Sequence, residues 1–281
     1  MVMNGGYVID MDISKYFDTI DHGLLREMIR RRVSDVVILR VIGKWLNAGV
    51  VDGGKRIYPE KGTPQGGVIS PLLSNLFLHE VVDGWFVKVV KPRMRGKASM
   101  VRYADDAVIM CELKEDAERI YKVLGLRFEK YGLTIHPEKT KLLDFRKPRD
   151  GQGKGNSSFT FLGFTHYWTK SRKGKWMVGR KTDSKRFKRA ITAINAWCKA
   201  NRHRPMREQW ETLKAKITGH YAYYGISLNF RSLTRFYLCI TKIWQKWLNR
   251  RGRKGKQNWE VFTKFLKVWP LPKPRIIHSY C

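Results

Sequence analysis

The segment Met100-Val-Arg-Tyr103-Ala104-Asp105-Asp106-Ala-Val-Ile-Met110 reads as strand, tight turn, strand, with its centre on Ala104-Asp105-Asp106. Two adjacent acids at a hairpin tip repel each other unless something positive meets them. An isolated Asp-Asp pair is also compatible with an ordinary turn, because Asp favours turns. The other reading is a place for a hard divalent cation such as Mg²⁺, which takes carboxylate oxygens and keeps waters for substrate phosphates. Upstream, Tyr7-Val8-Ile9 reads as a second strand, leading into Asp10 and Asp12. If these strands are neighbours, Asp12 and Asp105 can bridge two ions roughly 3.5–4 Å apart, the spacing used for in-line phosphoryl transfer.

Working outward, residues 1–182 mix strand and helix signals. Apolar residues repeat at helical spacing over 23–48, with a break near Val33-Ser34. Val50 to Tyr58 around Asp52-Gly53-Gly54 predicts a hairpin. Ser70-Pro71 predicts a helix start, with Ser as cap and Pro in the first turn. Residues 115–131 predict an amphipathic helix, and 140–145 and 159–167 predict further strands. Such alternation implies an α+β fold in which helices cover one face of an antiparallel sheet. Residues 149–158 are Gly-rich and predict a surface loop. Residues 183–281 predict helices throughout, with Pro205 and the Gly225–Asn229 stretch as breaks. The chain is therefore expected to form two domains, 1–182 and 183–281.

The 281 residues carry 56 Lys plus Arg against 24 Asp plus Glu, a formal net charge of +32. That self-repulsion is tolerable beside a polyanion, nucleic acid first and an anionic membrane surface second. Residues 183–281 hold 23 basic and 4 acidic residues, a net of +19. No apolar run approaches the roughly 18 residues of a membrane span, which argues against a membrane partner. Cys111, Cys198, Cys239 and Cys281 lie far apart and form no CxxC pair, so neither a zinc ribbon nor a disulfide framework is indicated.

Tyr103-Ala104-Asp105-Asp106 resembles the polymerase active-site box of reverse transcriptases of the group II intron class. Other boxes follow the same order. Asp12-Ile-Ser-Lys-Tyr-Phe17-Asp-Thr-Ile-Asp-His22 is similar to the first catalytic-aspartate motif. Gly62-Thr-Pro-Gln65-Gly66-Gly67-Val-Ile-Ser-Pro-Leu-Leu-Ser-Asn75 is similar to the motif touching template and nucleotide. Gly132-Leu-Thr-Ile-His-Pro-Glu-Lys139-Thr-Lys141 is similar to the motif with a lysine near the triphosphate. Phe161-Leu162-Gly163-Phe164 is similar to the primer-grip turn. Gly219-His-Tyr-Ala-Tyr-Tyr-Gly225, the stretch Leu233 to Arg250 and Leu271-Pro-Lys-Pro-Arg-Ile-Ile-His278 resemble the maturase domain of group II intron proteins.

The resemblance implies a polymerase palm followed by a helical thumb that also binds intron RNA. It implies RNA-directed DNA polymerase activity using dNTPs, an RNA template and a DNA primer, with two Mg²⁺ ions that Mn²⁺ can replace. Their ligands would be Asp12, Asp105, Asp106 and the Ile13 carbonyl. Phe17 would lie under the sugar and exclude a 2′-hydroxyl; its spacing from Asp12 fits a core aromatic equally well. Gln65, Gly66 and Gly67 would meet the nucleotide or template, on a turn that a Gly-rich segment would form in any case. Lys139 would donate a proton to pyrophosphate or stabilise its charge, or else is a solvated lysine. Arg250, Arg251, Arg253, Lys254 and Lys256 would contact RNA phosphates. Tyr221, Tyr223, Tyr224, Trp244 and Trp247 read as base-stacking or, for the tryptophans in preference, as helix packing. His22, His136, His220 and His278 lack metal spacing and read as structural or RNA-facing.

Met1 stands almost on the first catalytic strand, so the family's triphosphate-holding fingers are expected to be missing or supplied by a separate fragment. Two further readings stay open: an RNA-binding splicing factor that has lost catalysis, and an RNA-dependent RNA polymerase, against which Phe17 argues. A bacterial cytoplasm or nucleoid is the expected location.

Overall fold

The computed structural model describes residues 5–47, 50–52, 55–57, 62, 68–148, 157–252 and 258–279. The chain divides into two compact units, Met1–Leu162 with Lys170–Trp176, and Gly163–Thr169 with Met177–Cys281. The dividing line runs along a β-hairpin, whereas the sequence suggested a break after residue 182.

In the first unit, β1 (Tyr7–Met11) and β2 (Ile13–Ser14) lead into α1 (Tyr16–Thr19), α2 (His22–Arg30) and α3 (Val36–Leu46). The short strands β3 (Val50–Asp52) and β4 (Lys55–Ile57) pair antiparallel, as the hairpin expectation requires. Helix α4 (Ser70–Leu78) has Ile69, not Ser70, at its cap position and no side-chain cap bond. Ser70 lies inside the helix and its carbonyl accepts a hydrogen bond from the Ser74 hydroxyl at 2.5 Å. Helical structure continues from α4 without a break through two π-turns, His79–Asp83 and Phe86–Val90, into a 3₁₀ turn at Lys91–Arg93. Then come β5 (Ala98–Tyr103), β6 (Asp106–Cys111), α5 (Lys114–Glu129), β7 (Thr134–Ile135), β8 (Lys141–Asp144) and β9 (Phe159–Phe161).

The main sheet runs β5-β6-β1-β8, all antiparallel. Strand residues alternate between its faces. Ile9 and Met11 of β1, with Ala107, Ile109 and Cys111 of β6, face a core closed by Phe77 of α4 and by Ile120, Leu124 and Phe128 of α5. Asp10, paired with Val108, therefore points to the opposite face. Asp116, buried in the first turn of α5, accepts the Arg95 and Gly96 amides at 3.0 and 2.9 Å, fixing the connection into β5.

In the second unit, β10 (Phe164–Lys170) and β11 (Trp176–Thr182) form a hairpin, of which the second strand went unread in the sequence. Helices α6 (Ser184–Ala200), α7 (Met206–Tyr224), α8 (Phe230–Leu248) and α9 (Trp259–Val268) follow. Asp183 caps α6 by accepting the Lys185 and Arg186 amides. Leu213, Ile217 and Tyr221 of α7 meet Leu233, Phe236, Ile240 and Trp244 of α8 in one apolar core. Residues 270–278 strap across α7: Leu271 is 3% exposed, the Pro270 carbonyl accepts the Trp210 indole N–H at 2.9 Å, and the Ile277 and His278 amides donate to the Gly225 carbonyl.

Candidate active site

The antiparallel register puts the acidic residues together. In the β1–β6 ladder Asp10 stands opposite Val108 and Met11 opposite Ala107, so the next step sets Asp12 against Asp106. Asp106 opens β6 opposite Tyr103, and Ala104 and Asp105 form the turn between β5 and β6. Ala104 takes a left-handed φ of 53°, which lets the chain reverse in two residues. Asp10 lies on β1 and Asp12 just past its end, two residues on, and both act electrostatically with Asp106. The consequence is visible at Asp10: burial first, then repulsion from Asp106 and Asp12, raise its carboxyl to about 6, against the pull of Lys141. Asp10 was passed over in the sequence, although its period-two relation to Asp12 marks it as a neighbour.

Arg102, also unread in the sequence, braces the turn. Its Nε and Nη2 donate to Asp83 at 2.7 and 2.6 Å, and Nη1 donates to the Ala104 carbonyl at 2.9 Å and Asn75 Oδ1 at 3.0 Å. Burial alone would raise the Asp83 carboxyl, but the Arg102 guanidinium overrides it and holds the group below its ordinary range. Behind the turn, the Tyr16 hydroxyl donates to the Ser74 carbonyl at 2.5 Å, and burial lifts its pKa well above the usual phenol value.

Lys139 extends its ammonium to both carboxylate oxygens of Asp12, at 3.4 and 3.5 Å. Ile13 is buried in the core at the start of β2, opposite Ile135. Phe17 is half-buried at the core's edge, its ring 5.3 Å from that of Tyr16. His22 is buried and its ring bonds the Gly62 carbonyl, while the Gly62 amide donates to Ile20 at 2.8 Å. Gly62 holds a φ of +90°, and a Cβ there would meet the Phe17 carbonyl at 2.8 Å, so only glycine fits. Gln65, Gly66 and Gly67 lie outside the described residues.

Leu162 and Gly163 both have positive φ, 50° and 73°, as a two-residue primed turn demands. This turn splits the single strand expected over 159–167 into β9 and β10. Phe161 ends β9 and is half-buried. Phe164 stacks on Tyr223 at 5.7 Å and meets Tyr224 edge-on at 5.2 Å. In the helical unit, Trp244 is fully buried and Trp247 donates its indole N–H to Asn195 at 2.9 Å, so both are packing residues. The Arg250 guanidinium lies over the Trp247 ring, and Arg251 donates to the His203 and Arg204 carbonyls. Arg253, Lys254 and Lys256 fall outside the described residues.

Among the described residues no three His, Cys, Asp or Glu side chains come together as a group that could hold a metal ion. Mg²⁺ seldom uses an all-protein cage; it is held by one or two carboxylates together with substrate phosphates. The carboxylates of Asp12 and Asp106, near enough to Asp10 to raise its proton affinity, are of the type that fits such a donor set. No helix among the described residues is long and apolar enough to cross a membrane.

Comparison with known proteins agrees with this geometry. Residues 4–166 match the family model described as reverse transcriptase (RNA-dependent DNA polymerase). Protein YkfC of Escherichia coli is 32% identical over 201 residues, 62% of this chain and 50% of that protein. The group II intron-encoded protein LtrA of Lactococcus lactis is 39% identical over 137 residues, 49% of this chain and 22% of its own length. A putative COX1/OXI3 intron 1 protein of Saccharomyces cerevisiae is 28% identical over 322 residues, covering 87% of this chain and 38% of that protein. The chain thus spans half or less of the curated relatives it matches. It belongs to the reverse transcriptase family, and group II intron-encoded proteins are among its relatives.

Proposed function

We propose that this chain carries the polymerising centre of an RNA-directed DNA polymerase of the group II intron type, with residues 1–182 as palm and primer grip and residues 183–281 as an RNA-gripping thumb. The observation that supports the reading is the β1–β6 register, which ends at Met11 opposite Ala107 and so leaves Asp12 and Asp106 as the next residues of the two strands, with Asp105 in the adjoining turn and Lys139 against Asp12. Asp12, Asp105 and Asp106, with the Ile13 carbonyl, would hold two Mg²⁺ ions, for which Mn²⁺ can substitute. When bound, the ions lower the pKa of the primer 3′-hydroxyl and neutralise the triphosphate and leaving pyrophosphate.

The chain's own residues supply the rest. Arg102 keeps the acidic turn in place, so the carboxylates stand aimed before substrate arrives. Lys139, 59% exposed, is free to turn from Asp12 to the negative charge that develops on pyrophosphate. Phe17, beside Tyr16, would press against the sugar and favour dNTPs over NTPs. Phe164, stacked on Tyr223, would steady the primer strand, and Arg250 and Arg251 would lie along RNA phosphates.

Primer extension on an RNA template with Mg²⁺ and dNTPs tests the assignment. Asp12→Asn and Asp105→Ala should each lower extension by at least about 1,000-fold, as expected when charge stabilisation of the transition state is lost. Extension by these variants at the wild-type rate refutes the site. A second reading, intron RNA binding without catalysis, draws on the +19 charge of residues 183–281. Salt-sensitive binding of intron RNA, with splicing retained in Asp105→Ala and no extension by the wild type, would favour it.

A further inference from the structure

The loop that carries Lys139 also holds Asp12 by its main chain. Thr140, the next residue, is 3% exposed. Its hydroxyl engages both polar groups of the Asp12 main chain, accepting the Asp12 N–H at 3.2 Å and donating to the Asp12 carbonyl at 3.3 Å. The same carbonyl accepts the His136 N–H at 2.9 Å, and the Thr140 N–H closes the loop on the His136 carbonyl at 2.9 Å. Alongside, β2 pairs with β7 through Ile13 opposite Ile135 and Ser14 opposite Thr134.

Asp12 follows the last residue of β1, where the ladder with β6 ends. Beyond that point its peptide is held from the β7 side, by the His136 amide and the Thr140 hydroxyl. A threonine hydroxyl suits this position because it is neutral and can both accept and donate, and the β-branch stiffens its rotamer. A lysine or arginine there would add charge to the carboxylate, and an alanine would leave a donor unpaired.

We propose that Thr140 is a positioning residue, which sets the aim of the Asp12 carboxylate and ties it to the place of Lys139. The group that receives the cation and the group that meets the triphosphate are then mounted on one clamp. This inference rests on the reading of Asp12 as a metal ligand given above.

The test uses the full chain with Thr140→Val, which nearly keeps the shape and removes the hydroxyl, and Thr140→Ser, which keeps the hydroxyl and removes the methyl. Asp12→Asn is the reference. Amide hydrogen exchange at Asp12 reads the clamp, and Mn²⁺ binding followed by electron paramagnetic resonance reads the carboxylate. Thr140→Val should speed Asp12 exchange and weaken Mn²⁺ roughly 10- to 100-fold, the usual effect of losing an outer partner of a metal ligand. Thr140→Ser should restore both to within a few-fold of wild type. In primer extension the Val variant should lose kcat while the KM for primer–template is unchanged.

If Thr140→Val binds Mn²⁺ as wild type does while Asp12→Asn does not, the inference is overturned and the ligand reading stands. If wild type and Asp12→Asn bind Mn²⁺ alike, the ligand reading fails and takes the inference with it. If Thr140→Ser is as weak as Thr140→Val, the hydroxyl by itself does not set the aim of Asp12, which also overturns the inference. Should Thr140→Val lose its cooperative melt, Thr140→Ala replaces it with the same expected and overturning results.

Discussion

Arg102 directs its whole guanidinium at the frame of the Ala104-Asp105 turn. The planar fork grips Asp83 with two bonds and still reaches the Ala104 carbonyl, which a lysine ammonium cannot do. Arg102→Ala would leave the partly buried Asp83 carboxylate with only His79 beside it. We expect a loss of roughly 1.5–3 kcal/mol in unfolding free energy, the scale of hydrogen bonds to charged groups. Arg102→Lys should recover only part of it; urea denaturation measures both. An unchanged midpoint in Arg102→Ala would mean the brace carries no load. The acids of the motif were legible because an Asp-Asp pair between two apolar strands is a local pattern. Asp10 was passed over because the motif starts at Asp12, although its alternation with Asp12 marks the two as neighbours. Arg102 with Asp83, 19 residues apart, and Thr140 with Asp12, 128 apart, are long-range pairs that spacing does not reveal.

Strands and helices were read where apolar period and turn chemistry agreed. The β5–β6 hairpin and the helices α2, α3 and α5 emerged close to their expected bounds. The run after Ser70 was read as a helix start, but its two π-turns and its reach to Arg93 were not, since an extra residue in a turn leaves the apolar pattern nearly intact. In the second unit, the α7–α8 contact holds a titratable group. His220 stacks on Phe236 at 3.6 Å, and burial lowers its pKa to about 4. His166 is likewise lowered to about 4, by burial and then by Arg180. Both are neutral in the folded chain, whereas an unfolded histidine takes its proton near pH 6.5. The unfolded state therefore binds more protons in between, and stability present above about pH 6.5 is lost as pH falls toward 4. His220→Phe keeps the stack and removes one titration. Its melting temperature should fall less than the wild type's between pH 7 and pH 5, as followed by circular dichroism; equal falls would contradict this assignment.

At the scale of the whole molecule, charge dominates. A net of +32 favours contact with a polyanion whatever its sequence, by counterion release. If 6–10 phosphates are engaged, RNA affinity should fall about 10³- to 10⁵-fold between 50 and 200 mM salt, measurable by fluorescence anisotropy. A flat salt response would rule out phosphate gripping by the helical unit. Against this positive background the acidic face is a local exception. Lys139 and Asp12 are both partly exposed, 59% and 34% at the side chain, so their ion pair is of order 1 kcal/mol or less. A tether that weak works as an internal counter-ion. If Asp12 is a cation ligand as proposed, this pairing would quiet its carboxylate at rest and would yield at little cost to a divalent ion. The freed Lys139 ammonium would then stand beside the centre as the triphosphate brought its own negative charge, so that loading and activation would be a single exchange of charges.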